Sequence, residues 1–208
     1  SKDFVLKLYY PSLSPKVDLL KILDGLDNDA LVYLYDYGIT TQGTASRCFE
    51  VMEYLQGGNL EDYKLNKNEE MFRKIALTAS SGLDCCHKNG IIHKDVKLSN
   101  FFFRDKAQQE LVLGDFGISS LTNEEEDLHR TTQARTPLYA APEMYTNVIN
   151  GEVELTAKID YYSLGITLWH LWLGENPFTG NERSIMRMKT EGKLPGIEDL
   201  PENINRLI

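Results

Sequence analysis

His93-Lys94-Asp95-Val96-Lys97-Leu98-Ser99-Asn100 is followed, after a polar interruption, by Asp115-Phe116-Gly117. Between them lie two apolar runs, Phe101-Phe102-Phe103 and Leu111-Val112-Leu113, around the polar loop Arg104 to Glu110. This pattern reads as two short strands of a hairpin, which would return Asp115 to the neighbourhood of Asn100. Asp95, Asn100 and Asp115 could then converge on one point. Asp95 offers a carboxylate that can accept a proton from an attacking hydroxyl. Asn100 and Asp115 are hard oxygen donors of the kind magnesium prefers. Lys97 supplies positive charge where a transferring group gathers negative charge. Each residue alone has a blander reading, as a solvated loop residue or as a turn former. The order and spacing of the whole run favour chemistry.

Working outward, the chain before this run is strand-rich and the chain after it helical. Phe4 to Tyr9 is a β-prone run, broken by Pro11 and Pro15, and Lys16 to Leu26 suits a short helix. Strands are expected over Ala30 to Tyr37 and Arg47 to Met52, with a turn-rich link holding Gly38 and Gly43. Gln56-Gly57-Gly58-Asn59 is the candidate lobe boundary, because two glycines permit backbone angles other residues avoid. Phe72, Ile75, Ala76, Ala79, Leu83 and Cys86 recur at helical steps and predict a long amphipathic helix. Ala157 to Leu173 is apolar on nearly every side, with Thr156 as its expected N-cap, and a weaker helix covers Glu182 to Glu191. Strands first and helices after argue for an α+β arrangement.

Composition sets the class. The 208 residues carry 31 acidic and 22 basic side chains, a net charge of −9, and 42% are hydrophobic. That usage is ordinary for a globular domain and unlike a disordered chain. An acidic chain is a poor partner for nucleic acid or anionic lipid. Cys48, Cys85 and Cys86 form no disulfide framework and suggest a reducing, cytoplasmic setting. The longest nearly apolar stretch, Tyr161 to Gly174, is too short for a membrane span. The four histidines share no zinc-like spacing. His87 and His170 are expected to be packing residues.

The central run resembles the catalytic and metal-binding loops of eukaryotic-type serine/threonine protein kinases, and the resemblance extends along the chain. Val5-Leu6-Lys7 is similar to the strand whose lysine pairs with ATP phosphates. Met52-Glu53-Tyr54-Leu55 resembles the gatekeeper and hinge. Thr136-Pro137-Leu138-Tyr139-Ala140-Ala141-Pro142-Glu143 looks like the substrate-facing loop, and Asp160-Tyr161-Tyr162-Ser163-Leu164-Gly165 like the buried helix that holds the catalytic loop. The short link from Tyr9 to Lys16 is similar to that of bacterial members. The resemblance implies a bilobal fold, with a small β-rich lobe over residues 1–55 and a larger helical lobe over 56–208. It implies Asp95 and Lys97 as catalytic residues, with Lys7, Met52, Glu53, Leu55, Asn100, Phe102 and Asp115 holding ATP. Asn100 and Asp115 would be the Mg2+ ligands, and the partner a protein with a Ser or Thr acceptor. It implies a structural His93, packed near Phe116.

Three features depart from the family pattern. No Gly-x-Gly-x-x-Gly precedes Lys7, Asp18 stands near the place of the glutamate that pairs with that lysine, and no partner arginine for Glu143 is found. A piece of a longer kinase domain is the expectation. A pseudokinase acting as a binding or scaffolding module, and a small-molecule phosphotransferase, are the competing readings. Thr131 and Thr132 are the candidate phosphorylation sites, with Lys94 where the family has the arginine that receives the phosphate.

Overall fold

Aromatic and β-branched residues, among them Phe4, Val5, Tyr35, Tyr37, Ile39, Phe49 and Val51, are spread over the strands of the first sheet. The structure, a computed structural model, describes residues 3–10, 17–42, 45–121, 136–145 and 156–192. Strands β1 (Phe4–Leu8), β2 (Leu34–Gln42) and β3 (Ala45–Glu53) form an antiparallel sheet in the order β1-β3-β2. In the β1–β3 register Val5 stands opposite Met52 and Lys7 opposite Glu50.

The second strand differs from the sequence expectation. Ala30 and Val32 do not join this sheet; their backbones bond Leu113, Leu113 N to Ala30 O at 2.8 Å and Val32 N to Leu113 O at 2.9 Å. The strand proper begins at Leu34 and runs through Gly38, expected in a turn. A Cβ on Gly38 would lie 3.1 Å from the Phe49 ring, so the missing side chain makes room for an aromatic neighbour across the ladder.

Helix α1 (Val17–Asp24) buries Leu19 and Leu20. Helix α2 (Glu69–Lys88) is the long amphipathic helix the spacing predicts. Asn68 caps it, accepting from Met71 N at 3.0 Å, and acidic Glu69 and Glu70 occupy the positive first turn. Its apolar face, Phe72, Ile75, Ala79 and Leu83 among others, enters the main core. Phe72 meets Trp172 edge-on at 5.3 Å. Trp172 belongs to α3 (Lys158–Leu173), which is buried on nearly all sides. The cap of α3 is Ala157, without a side-chain bond, while Thr156 Oγ1 accepts from Lys158 N at 3.4 Å. Gly174 ends the helix at φ 84°, a left-handed position glycine fills without strain. Helix α4 (Glu182–Thr190) is capped by Asn181, which accepts from Ser184 N at 3.0 Å.

Four short strands frame the central run. β4 (Ile91–Ile92) pairs with β7 (Ser120–Leu121), and β5 (Phe101–Phe103) pairs with β6 (Leu111–Leu113) as the expected hairpin. The two glycines of the lobe boundary work differently. Gly58 takes φ 76°, whereas Gly57 serves close approach: its N–H bonds Phe103 O at 3.0 Å, and a Cβ there would collide with Asp105 O. Small strand-rich and larger helical parts make the fold α+β and bilobal. Among the described residues no helix is long and apolar enough to cross a membrane.

Candidate active site

The β5–β6 hairpin starts the site. Its register sets Phe101 opposite Leu113, and Gly114 N then bonds Asn100 O at 2.9 Å. Asn100 and Asp115 therefore end up at the same end of one hairpin, as the spacing implied. Phe102 lies beside them, its ring 3.2 Å from where a Gly114 Cβ would stand. It also bridges to Asn59 at the end of the lobe boundary.

Asp95 is held from several sides. Asn100 Nδ2 donates to Asp95 O at 2.7 Å and to its Oδ2 at 3.0 Å, and Lys97 Nζ lies 2.7 Å from Oδ2. The other carboxylate oxygen accepts from the Thr136 hydroxyl at 2.7 Å, and Lys97 Nζ donates to that hydroxyl at 3.1 Å. A carboxylate, an ammonium and an alcohol thus form one connected set.

The backbone of this loop is strained and anchored. Lys94 and Asp115 adopt φ 69° and 60°, left-handed values that cost a side-chain-bearing residue about 1–2 kcal/mol each. Asp160, fully buried on α3, accepts from His93 N and Lys94 N, both at 2.8 Å. Its third donor is His87 Nε2 at 2.8 Å, so His87 is a polar anchor and more than the packing residue expected. His93 is buried against Phe116 with ring centroids 4.9 Å apart. Its Nε2 faces Gly114 O at 3.0 Å and its Nδ1 accepts from Asp95 N at 3.3 Å, so both nitrogens are engaged structurally.

Lys7 reaches from β1 to the end of the β5–β6 hairpin. Its Nζ lies 2.6 Å from Asp115 Oδ1 and 4.8 Å from the centre of the Tyr9 ring. This excludes a freely solvated edge lysine. The partner is Asp115, while Asp18 is exposed on the first turn of α1. Burial works to raise the Asp115 carboxyl, but the Lys7 charge and hydrogen bond, with the Gly117 N–H, outweigh it and hold the pKa below the usual range. Sequence reading missed a neighbour here. Glu50 is 3% exposed opposite Lys7 and accepts from the Tyr9 hydroxyl at 2.6 Å. Burial raises its pKa, against the pull of that hydrogen bond and of Lys7.

Met52, Glu53 and Leu55 end β3 and begin the link to α2. The Glu53 N–H is committed to Tyr33 O at 3.0 Å. Its carboxylate takes a two-pronged bond from Arg104, at 2.8 and 3.0 Å, which ties the end of the sheet to the hairpin. Nothing in the sequence pattern singled out that pair. Thr131, Thr132, His129 and the acidic run 124–127 lie outside the described residues.

The donor set suits a hard divalent cation. Asp115 is ionised, and Asn100, with its amide nitrogen committed to Asp95, has its oxygen left to offer. Among the described residues no three His, Cys, Asp or Glu gather as a metal cluster. A cation would have two protein ligands and take the others from phosphate and water, which is magnesium's habit.

The protein kinase domain family model matches residues 18–207. A probable serine/threonine-protein kinase of Dictyostelium discoideum is 33% identical over 168 residues, 77% of this chain and 17% of that protein. The rat NUAK family SNF1-like kinase 2 is 31% identical over 80% of this chain and 25% of its own length. Rice serine/threonine protein kinase OSK3 is 32% identical over 79% and 31%. The chain therefore spans a third or less of the length of these relatives. Among solved structures, the Cydia pomonella granulovirus kinase PK-1 superposes with a TM-score of 0.73 at 25% identity, covering 99% of this chain and 76% of that one. The family match begins at Asp18 and leaves out Lys7, but the structural match takes in nearly the whole chain. A loop anchored through Asp160, a hairpin that joins Asn100 to Asp115, and this breadth of likeness have one explanation: the chain belongs to the protein kinase family.

Proposed function

We propose that the chain transfers the γ-phosphoryl group of Mg-ATP to a serine or threonine hydroxyl of a protein. The observation that carries this reading is the alcohol already seated on Asp95. Thr136 donates to Asp95 Oδ1 at 2.7 Å while Lys97 touches the same hydroxyl at 3.1 Å. A substrate hydroxyl in that place would find a proton acceptor and a cation together. Asp95 takes the proton as the oxygen attacks phosphorus, and the bond to the ADP oxygen breaks with its electron pair leaving on ADP. Lys97 faces the charge gathering on the phosphoryl oxygens. Lys7 orients the nucleotide phosphates, and Met52, the Glu53 carbonyl, Leu55 and Phe102 hold the adenine. Asn100 and Asp115 hold magnesium, which when bound neutralises phosphate charge. Positioning and electrostatics supply most of the rate in such transfers, so these few groups suffice.

Residues 1–55 and 56–208 are the two lobes of this reading, which meet at the cleft. That Cys48, Cys85 and Cys86 form no disulfide supports a reducing, cytoplasmic setting. Phosphate transfer by the full-length protein, beside Asp95→Asn, is the test. Transfer by the wild type and a loss of about a hundredfold or more in the variant are expected. Nucleotide binding without transfer would mark a binding module in place of an enzyme.

A further inference from the structure

Helix α4 buries a lysine where its pattern calls for an apolar residue. Ile185 and Lys189 are four residues apart and share the buried face, while Arg183 and Arg187 are exposed. Lys189 is 5% exposed. Its ammonium donates to three backbone carbonyls, Pro137 O at 2.9 Å, Leu138 O at 2.9 Å and Ala140 O at 2.7 Å. The same nitrogen lies 4.8 Å from the Phe178 ring centre and 5.5 Å from that of Tyr162. An ammonium has three N–H donors, and all three are used.

Those carbonyls belong to a non-helical turn. Within it, Tyr139 N and Ala140 N both bond Thr136 O, at 3.0 and 3.1 Å, so the turn folds back on its first residue. Three carbonyl dipoles aimed at one point repel each other unless a cation stands among them. The first residue of the turn is Thr136, whose hydroxyl sits on Asp95. Helix α4 is thereby connected, through one side chain and one turn, to the catalytic carboxylate.

We propose that Lys189 is a positioning residue for the acceptor protein. By gathering the three carbonyls it sets the 136–141 turn against Asp95 and Lys97, and so governs how the acceptor, and not the nucleotide, is held. This inference rests on the kinase reading above. The nucleotide-side groups, Lys7, Asn100 and Asp115, share no hydrogen bond with the turn or with α4 among the bonds described. Loss of the lysine should therefore leave them in place.

The test uses the full-length protein with Lys189→Met, which keeps an unbranched apolar stem, and Lys189→Gln, which keeps two donors. Initial rates are measured against a degenerate Ser/Thr peptide mixture and, separately, against Mg-ATP. In the Met variant the KM for peptide should rise at least tenfold while that for Mg-ATP stays within twofold; the Gln variant should fall between Met and wild type. Hydrogen exchange at Tyr139 and Ala140 should quicken in the Met variant, with α3 amides unchanged. Parallel shifts in both KM values, a Gln variant equal to Met, or unaltered exchange would overturn the proposal. If Lys189→Met does not fold, the Gln variant alone decides by the same two readouts. Wild-type protein that transfers no phosphate would overturn the kinase reading and the acceptor role with it; the exchange measurement then still decides whether Lys189 anchors the turn.

Discussion

At the residue scale, the roles proposed for the two aspartates call for different environments. Asp115 is kept ionised by Lys7 in the resting protein, as a metal ligand must be, whereas Asp95 already accepts from an alcohol. A ligand acts in the ground state and a base mainly in the transition state. Asp115→Asn should therefore weaken Mg-ATP binding at least tenfold, and Asp95→Asn by less than about twofold, as read by titration calorimetry. Equal losses would show that the roles are wrongly divided. Lys189 offers a second test. Burial pushes its ammonium down to about 7 from 10.5. Between those values the unfolded chain binds a proton that the folded chain has given up together with one of its three carbonyl bonds. The ammonium with all three bonds therefore belongs to the lower end of the window, and this group makes stability rise with pH across it. Tyr162 beside it, pushed up to about 12 by burial, stays neutral throughout. The melting temperature of wild type relative to Lys189→Met should climb from pH 7 to pH 9.5; a flat or falling difference would refute the shift. Neither Lys189 nor the Glu50–Tyr9 pair was legible in the sequence. Their partners lie 41 to 52 residues away, and an isolated Lys or Glu in an apolar pattern looks like a surface residue.

At the element scale, legibility followed locality. The β5–β6 hairpin and α2 were plain, because their hydrophobic period lies within a single segment. β2 was misplaced, because residues 30–32 are drawn off to bond Leu113, a partner no local pattern announces. The polar anchoring by α3 was implied only through family resemblance, and His87 as its third donor was missed. Asp160→Ala would leave two strained-loop N–H groups and one imidazole without their acceptor. A loss of about 3–5 kcal/mol is expected, measured by urea unfolding, since each buried orphan costs about 1–3 kcal/mol. A change under about 1 kcal/mol would mean that the loop holds its left-handed residue unaided.

At the scale of the whole molecule, the resting site is closed on itself by the bond from Lys7 to Asp115, two residues 108 positions apart that join the sheet to the hairpin. Each is the other's substitute for what the site is built to receive. Free magnesium arriving alone must take Asp115 and leave an ammonium unmatched; metal-free ATP must take Lys7 and leave a carboxylate bare beside its phosphates. The complex satisfies both at once. Metal and nucleotide should accordingly bind with positive linkage, each raising the affinity for the other by the same factor. That factor should be smaller in Lys7→Met than in wild type by the share the ion pair contributes, measured as the ratio of ATP dissociation constants with and without magnesium. An undiminished ratio in the variant would show that the bond plays no part. A ratio that falls as expected would make the ion pair a discriminator, one that turns away half of the substrate and admits the whole.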